Sequence, residues 1–484
     1  MAIHCHGKQL LIQMNKTITK NPGSFRDPSG YIFEYQGNIY RFVSKAYKPH
    51  YDQLHLSGLY DALIRINAII ATEEVTLDII DDPELYKIIR PEHIPFISYP
   101  YEWSFGQLKE AALLTLKIQK MALQEGMVLK DASAYNIQFL HGRPVFIDTL
   151  SFEKYEEGQP WPAYKQFCQH FLAPLFLISY NDIRLNQLSK GFLDGVPLDL
   201  TSKLLPKRTY LNFCALTHIH LHSKTQQKYS NAFSDIKKQQ SSRQPHLSLN
   251  GLMGIIDSLE SGIHALTVKN SKTEWSDYYD ETNYSNAALK QKMELVAKHA
   301  SSGNPGMVWD IGANNGFFSR LIAQKIKEPI ISFDIDPMAV EINYQINKSE
   351  KIPNILPLLM DFTNSSPGIG WENKERLDLI SRGPCETAVA LALIHHLVIS
   401  NNVPLDKIAN FFSRICDRLI IEFIPKSDSQ VQRMLSSRKD IFESYDQLHF
   451  EREFSSHFDI VEKNEIPESD RTLYFMKRIH EKDI

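Results

Sequence analysis

The second half of the chain alternates between short apolar runs and longer segments in which apolar residues have helical spacing. Five runs have the length of a β-strand, and amphipathic segments such as residues 317–326 and 405–415 fall between them. This alternation is typical of a doubly wound α/β sheet, in which ligands bind at the carboxyl ends of the strands. We therefore predict such a sheet here. The runs are MVWDIGA (307–313), PIISFDID (329–336), ILPLLMD (355–361), TAVALAL (387–393) and RLIIEFI (418–424).

The pattern changes twice along the chain and divides it into three parts. Residues up to about 221 are rich in aromatic residues and proline, which is typical of a folded domain. Residues 223–250 are dominated by Gln, Ser and Lys, as in a linker, and residues 252–266 then have helical apolar spacing. We predict an N-terminal domain at 1–222, a polar linker with a bracing helix at 223–273, and the α/β domain at 274–484.

Composition disfavours several classes of protein. The 484 residues include 53 Lys+Arg and 57 Asp+Glu, for a net charge of −4, and this balance disfavours a nucleic-acid partner. The five cysteines form no CxxC pair, which disfavours a disulfide framework or a cysteine-based zinc site. The N-terminus lacks the apolar core of a signal peptide, and the longest apolar stretch, residues 171–180, is too short to span a bilayer. We therefore expect a cytoplasmic protein without a membrane span.

A glycine turn follows the first apolar run of the second half. Asp310 ends the predicted strand, and Gly312, Asn314 and Gly316 lie in the turn before a helix begins near Phe317. Glycine lets the backbone approach a ligand closely, and amides at a helix N-terminus form a polar cradle. The spacing Asp-x-Gly-x-x-x-Gly differs from the dinucleotide fingerprint Gly-x-Gly-x-x-Gly. An acid at this strand end instead suits a cationic ammonium group or a water bound to it.

The next two strands also end in acids. Asp334 lies 24 residues beyond Asp310 and is placed to accept hydrogen bonds from both hydroxyls of a ribose. Asp361 ends the third run, where it or its neighbouring amide can recognise adenine. This ordered set resembles the class I S-adenosylmethionine (SAM)-dependent methyltransferases. The resemblance implies a seven-stranded sheet that binds the methionine moiety at Asp310 and the glycine turn, the ribose at Asp334 and the adenine at Asp361.

A fourth element resembles the segment after the fourth strand of small-molecule methyltransferases, beside the transferable methyl group. It contains the sequence ALALIHHL, in which His395 or His396 would accept a proton from a hydroxyl or amine acceptor. Helix capping or packing is the alternative role for these histidines. Glu422, at the end of the fifth strand, would either touch the substrate or face water.

A second set of polar residues lies in the N-terminal domain. Asn136 follows Asp131 by five residues, and Asp148 follows Asp131 by 17 residues after an apolar strand. In kinase-type catalytic loops, the first Asp orients the acceptor hydroxyl, while the Asn and the second Asp bind magnesium. The segment resembles the core of protein kinases and aminoglycoside phosphotransferases, which implies an α+β kinase-like domain.

The N-terminal domain departs from the kinase pattern at several positions. Leu129 and Lys130 stand where His-Arg is expected, and no glycine-rich phosphate loop precedes them. Arg41 or Lys45 is the candidate phosphate cation. We predict no metal site unless this domain is active, in which case Asn136 and Asp148 would be the ligands. The alternative is a helical domain in which the polar residues tie buried turns together.

Nearly the whole chain resembles a bacterial family of two-part SAM-dependent methyltransferases described as nodulation-protein-like. The resemblance adds to the motifs the segments YPYEWSF (99–105), LKDASAYN (129–136) and IDTLSFE (147–153). It implies methyl transfer from SAM without establishing the substrate. We expect the acceptor to be an oxygen or nitrogen atom on a small molecule or glycan. The alternatives are phosphoryl transfer through Asp131, Asn136 and Asp148, and a non-catalytic SAM-binding scaffold. The oligomeric state does not follow from the sequence.

Overall fold

The computed structural model of the chain describes residues 18–222, 247–268, 285–436 and 439–480. The greater part of the predicted polar linker, residues 223–246, lies outside the described residues. Within the described ranges, no helix combines the length and the apolar character that crossing a bilayer requires.

The first half begins with a five-stranded antiparallel sheet in the order β1-β2-β3-β5-β4. Two small antiparallel pairs, β6 with β9 and β7 with β8, follow it. The strands are β1 (Thr19–Lys20), β2 (Gly30–Tyr35), β3 (Asn38–Ser44), β4 (Thr72–Val75), β5 (Leu85–Pro91), β6 (Met127–Leu129), β7 (Ile137–Leu140), β8 (Arg143–Phe146) and β9 (Phe152–Lys154).

The long helix Phe105–Gln124 forms the centre of this half. It begins with a capping box, in which Oγ of Ser104 accepts the N–H of Gln107 while Oε1 of Gln107 accepts the N–H of Ser104. Its buried residues recur at helical spacing, so one face packs into the core. The other α-helices of the first half are Lys48–Leu56, Leu59–Arg65, Tyr164–Phe167, Ala173–Tyr180, Leu188–Gly191, Leu198–Leu204 and Phe213–Ala215.

The helix predicted after the polar linker spans Leu249–His264. Its apolar face is buried in the same core cluster as helix Phe105–Gln124. Lys120 of that central helix forms ion pairs with Asp257, at 2.6 Å, and with Glu260. These contacts attach the helix to the first half of the chain.

The second half contains a seven-stranded mixed sheet in the order β12-β11-β10-β13-β14-β16-β15. The first five strands in this order are parallel, whereas β16 runs antiparallel to both β14 and β15. The α/β class predicted for this half is confirmed. The strands are β10 (Val308–Ile311), β11 (Ile330–Asp334), β12 (Ile355–Leu359), β13 (Cys385–Ala390), β14 (Cys416–Phe423), β15 (Phe458–Glu465) and β16 (Thr472–Arg478).

Helices cover the faces of this sheet. Helix Leu405–Ile415 buries Leu405, Ile408, Phe412 and Ile415, which share one face at intervals of three or four residues. The other α-helices of this half are Asn286–Ala300, Phe317–Ala323, Pro337–Glu350, Ser429–Leu435 and Gln447–Ser455.

The two halves share a packed interface. Phe96 of the first half lies edge-on to the rings of Trp309 and Phe333, with centroids 5.7 and 5.9 Å away. The N–H of Gly106 donates to Oε2 of Glu341 at 2.7 Å. Because Trp309 and Phe333 lie on β10 and β11, the first half packs directly against these two strands of the sheet.

Candidate active site

A cavity of about 320 Å³ lies at the carboxyl ends of the parallel strands, beside the point where the strand order reverses between β10 and β13. Doubly wound sheets bind ligands at this point. The volume falls within the range of small-molecule sites, about 300–1,000 Å³. Gly316 and His395 are not part of the cavity wall among the described residues. The predicted residues that line the wall are Asp310, Gly312, Asn314, Asp334, Asp361 and His396.

The turn after β10 needs left-handed backbone at three positions. Gly312, Asn314 and Gly316 have φ angles of 78°, 52° and 78°. A Cβ atom at Gly316 would lie 2.1 Å from Oδ1 of Asn343. Gly316 therefore allows helix Phe317–Ala323 to begin close to Asn343, which is a packing role. Gly312 and Asn314 are the turn residues that face the cavity.

Asp310 is buried at the end of β10, with 2% of the residue exposed. Its Oδ2 accepts a 2.5 Å hydrogen bond from Oγ of Ser319, which also contacts Oγ of Ser332 at 2.9 Å. Burial raises the pKa of Asp310 to about 6, although the Ser319 bond opposes this shift. Because a nearby cation stabilises a buried carboxylate, this position suits a positively charged ligand group.

Asp334 connects two turns at the cavity. Its Oδ2 accepts the N–H of Asn314 at 2.7 Å, and its Oδ1 accepts the N–H of Asp336 at 2.8 Å. Burial raises the pKa of Asp334 to about 6 despite these bonds. A carboxylate has about four acceptor positions, so acceptor capacity beyond these two bonds is available to ligand hydroxyls. Asp336 itself caps helix Pro337–Glu350 by accepting the N–H of Met338 at 2.8 Å.

Asp361 follows β12 and lines the cavity together with its neighbours Met360 and Thr363. Its Oδ1 accepts both the N–H of Thr363, at 2.8 Å, and the hydroxyl of the same residue, at 2.6 Å. The two bonds fix the direction of the carboxylate at the start of a long connection to β13.

This connection, residues 361–382, also contacts the first half of the chain. Arg26 forms an ion pair with Glu375 at 2.7 Å, and the hydroxyl of Tyr99 accepts the N–H of Leu377 at 2.7 Å. One end of the connection therefore lines the cavity while its later part is bound to the first half.

The two predicted histidines differ in their access to the cavity. His396 lines the wall, and burial lowers its pKa to about 4, so the imidazole is neutral at pH 7 and a weaker base than an ordinary histidine. His395 is 2% exposed, and burial lowers its pKa well below the usual range. The Nδ1 atom of His395 has no hydrogen-bond partner among the described residues. The two rings lie 4.2 Å apart, so His395 packs behind His396.

A buried ion pair beside the cavity was missed by the sequence analysis. Lys292 of helix Asn286–Ala300 places Nζ 2.8 Å from Oε2 of Glu422, and the two side chains are 3% and 0% exposed. The alternative in which Glu422 faces water is therefore wrong. The same Oε2 accepts the N–H of Ala392, a residue with a φ of 49° in the turn after β13. Burial lowers the pKa of Lys292, and Glu422 opposes that shift.

The polar residues of the first half meet around Asp148. Nη1 of Arg41 lies 2.5 Å from Oδ1 of Asp148, whose Oδ2 accepts the hydroxyl of Ser151 at 2.7 Å. Asn136 donates from Nδ2 to the same Ser151 hydroxyl oxygen at 3.3 Å. Burial would raise the pKa of Asp148, but Arg41 and the hydrogen bonds hold it below its usual value. Asn136 and Asp148 are thus connected through Ser151, with Arg41 as the cation.

Asp131 lies close enough to this cluster for its charge and that of Asp148 to repel each other. Burial is the larger cause of its raised pKa, and its Oδ1 accepts the N–H of Ser133 at 2.8 Å. Lys45, the other predicted cation, is exposed. Across the described parts of the chain, no group of three or more His, Cys, Asp or Glu side chains is arranged to hold a metal ion.

The chain resembles two solved structures over less than half of its length. The N-methyltransferase NodS from Bradyrhizobium japonicum WM9, solved with S-adenosyl-L-homocysteine, is 12% identical; the match covers 43% of this chain and 94% of NodS, with a TM-score of 0.32. The bifunctional kinase-methyltransferase WbdD is 15% identical; the match covers 42% of each chain, with a TM-score of 0.28.

A curated relative matches almost the full length. No family model matches the chain. Nodulation protein NoeA from Rhizobium meliloti (strain 1021) is 35% identical over 459 residues, which make up 94% of this chain and 95% of NoeA. Identity of this extent confirms the nodulation-protein-like resemblance predicted from the sequence. The chain belongs to the family of nodulation protein NoeA.

Proposed function

We propose that the chain transfers a methyl group from SAM to an oxygen or nitrogen atom of a small molecule or glycan. The observation that carries the proposal is the arrangement of acids around one cavity. Asp310 and Asp334 lie at the carboxyl ends of β10 and β11, and Asp361 follows β12. The three acids line the same 320 Å³ space beside the point where the strand order reverses. Each of the three carboxylates has a different hydrogen-bonding environment, so each suits a different part of a ligand.

The residues present fit the chemical groups of SAM. The buried carboxylate of Asp310 suits the ammonium group of the methionine moiety, and Asp334 suits the ribose hydroxyls. Asp361, fixed by its two bonds from Thr363, suits the exocyclic amine of adenine. When bound, SAM supplies an electrophilic methyl group on a sulfonium.

The protein's own contribution is to orient the acceptor and to remove its proton. An oriented acceptor avoids most of the entropic cost of bringing two reactants together. His396 is the histidine that lines the cavity, so its imidazole is the candidate proton acceptor, and its pKa of about 4 makes it a weaker base than an ordinary histidine. His395 packs against its ring and supports the orientation of His396.

Calorimetric titration of the full chain with SAM and S-adenosylhomocysteine tests the cofactor site. We expect binding in the micromolar range, about −8 kcal/mol. Asp334→Ala is expected to weaken it by about tenfold or more because the ribose loses its acceptor. Asp459→Ala is the matched control, since Asp459 is exposed on β15 at the edge of the sheet. No heat with either ligand would contradict the proposal, as would equal binding by the Asp334 and control variants.

Methyl transfer itself is tested with methyl-labelled SAM and fractionated small molecules and glycans. Labelled product that disappears in Asp334→Ala supports an enzyme. Tight SAM binding without transfer to any fraction would favour the non-catalytic scaffold instead.

Phosphoryl transfer in the first half is a second candidate, favoured by the contact between Arg41 and Asp148. The cation and the acid meet at 2.5 Å, and Asn136 is joined to the acid through Ser151. Magnesium-dependent ATP turnover that is lost in Asp148→Ala, while SAM binding persists, would support this activity. Turnover that survives the substitution, or is absent from the unmodified chain, would argue against it.

A further inference from the structure

The wall of the cavity contains a buried cation that none of the motifs includes. Lys292 lines the cavity and has 3% of its side chain exposed. Among the described residues of the wall, it is the single lysine or arginine. A lysine is almost never buried to this degree unless it is paired, and the partner of Lys292 is Glu422.

Two acids lie near Lys292, and Arg471 is another cation whose charge acts on it. Glu422 lies 2.8 Å from its Nζ, and Asp310 is near enough for the charges to attract each other. The ring of Phe318, with its centroid 5.3 Å from Nζ, covers the ammonium on another side. An ammonium carries three N–H donors and can therefore contact more than one carboxylate.

An amino-acid zwitterion bound at Asp310 would bring a carboxylate into this acidic region. Next to Asp310 and Glu422, that carboxylate would be repelled unless a cation contacted it. Lys292 is the cation that the cavity wall offers at this end. An ammonium hydrogen-bonded to a carboxylate is one of the stronger polar contacts in proteins.

We infer that Lys292 binds the α-carboxylate of the methionine moiety, while Asp310 binds the α-ammonium. This inference rests on the proposed function and adds a residue to its cofactor site. It makes Lys292 the residue that selects ligands with an intact amino acid over ligands that have lost the carboxylate. Glu422 is then a positioning residue that holds the ammonium at the cavity wall.

Two ligands that differ only in the carboxylate test the inference. S-adenosylhomocysteine has the carboxylate, and 5′-(3-aminopropylthio)-5′-deoxyadenosine keeps the adenosine, the thioether and the amine without it. Calorimetry on the full chain is expected to show a lower Kd for S-adenosylhomocysteine in the unmodified protein. Lys292→Met should raise that Kd by about tenfold or more and leave the Kd of the amine within about threefold.

Two further variants distinguish loss of the ligand contact from general damage to the fold. Lys292→Met leaves Glu422 buried without its cation, so Lys292→Met/Glu422→Gln is measured in parallel because it restores a neutral environment. Lys298→Met is the matched control on the same helix, where Lys298 is 60% exposed and paired with Glu462. The double variant is expected to show the same ligand discrimination as the single variant, and the control none.

Two results would overturn the inference while leaving the proposed function intact. One is an unchanged Kd for S-adenosylhomocysteine in the Lys292 variants. The other is equal weakening of both ligands, which would indicate damage to the whole site. If the unmodified chain binds neither ligand, the proposed function fails as well.

Discussion

Arg382 and Glu102 form a buried bidentate ion pair between the two halves of the chain. Nη2 of Arg382 lies 2.6 Å from Oε1 of Glu102, and Nη1 lies 2.9 Å from Oε2. The side chains are 2% and 0% exposed. Arg382 also donates to the carbonyl of Ile97, and its guanidinium lies over the ring of Tyr99 at 4.8 Å. Glu102 accepts a further 2.5 Å hydrogen bond from Ser366.

We expect removal of either partner to be strongly destabilising. Arg382→Met leaves the charge of Glu102 buried and unpaired, which should lower the free energy of unfolding by about 3–5 kcal/mol. Urea unfolding measures the loss. Lys374→Met is the control, because the Lys374–Glu372 pair is exposed on both sides and should be worth at most about 1 kcal/mol. Equal effects of the two substitutions would contradict the prediction.

Gly316→Ala is expected to destabilise the protein through backbone strain and a clash. The position has a φ of 78°, and the added Cβ would lie 2.1 Å from Oδ1 of Asn343. Strain of this kind costs about 1–3 kcal/mol, measurable by urea unfolding. Gly254→Ala provides the comparison, since this helical glycine has nothing within 4 Å of the new Cβ and the change should stabilise by about 0.5–1 kcal/mol. A harmless Gly316→Ala would show that the turn adapts.

The raised pKa of Asp310 predicts that the free energy of unfolding of the unmodified chain changes with pH relative to that of Asp310→Asn. Its pKa is about 6 in the folded chain and 3.8 in an ordinary environment. Between these values the folded state binds more protons than the unfolded state, so the Asp310 contribution to stability falls as pH rises from about 4 to about 6.

Relative to Asp310→Asn, the unmodified chain should therefore lose up to about 3 kcal/mol across this pH window. The free energies of unfolding of both proteins at several pH values give the difference directly. Asp459→Asn, at an exposed position, should show no such trend. A difference that is constant with pH would mean that Asp310 titrates normally.

Ligand binding should protect His396 from carbethoxylation. Diethyl pyrocarbonate reacts with neutral imidazole, and the pKa of His396 is about 4, so His396 should still react at pH 5.5, where an ordinary exposed histidine is mostly protonated. Saturation with S-adenosylhomocysteine should reduce its modification because His396 lines the cavity. His395, at 2% exposed, should react slowly in either state.

Peptide mapping by mass spectrometry separates His396 from the other histidines. Among these, the exposed His141 of the β7–β8 turn reports reagent activity independent of the cavity. Equal modification of His396 with and without ligand would place it outside the ligand-binding region.

The sequence predicted the elements of the second half and the acids at their ends because both depend on local patterns. Asp310 and Asp334 lie near the end of an apolar strand and Asp361 follows one, and parallel strands bring their carboxyl ends to one edge. The amphipathic segment predicted at residues 405–415 likewise forms helix Leu405–Ile415. Gly316 was predicted from the glycine turn after the first of these strands. Its close approach to Asn343 reflects packing between two helices, which the local spacing of residues does not reveal.

Lys292 was not predictable because its partners are distant in sequence. A lysine in an amphipathic helix normally points to solvent, and Glu422 is 130 residues away. The same holds for Glu102 and Arg382, which are 280 residues apart. In each case the significance of the charge depends on its burial, which only the folded chain defines.

Residues 361–382 contact the cavity at one end and the first half of the chain along the rest. The cavity wall at Asp361 and Thr363 therefore depends for its shape on Arg26, Tyr99 and Glu102, none of which belongs to the α/β sheet. Residues 274–484 expressed alone would lose these partners and expose the apolar surface that Phe96 covers on Trp309 and Phe333. A cut at the linker would thus divide the sequence at a polar segment without separating two independent folding units.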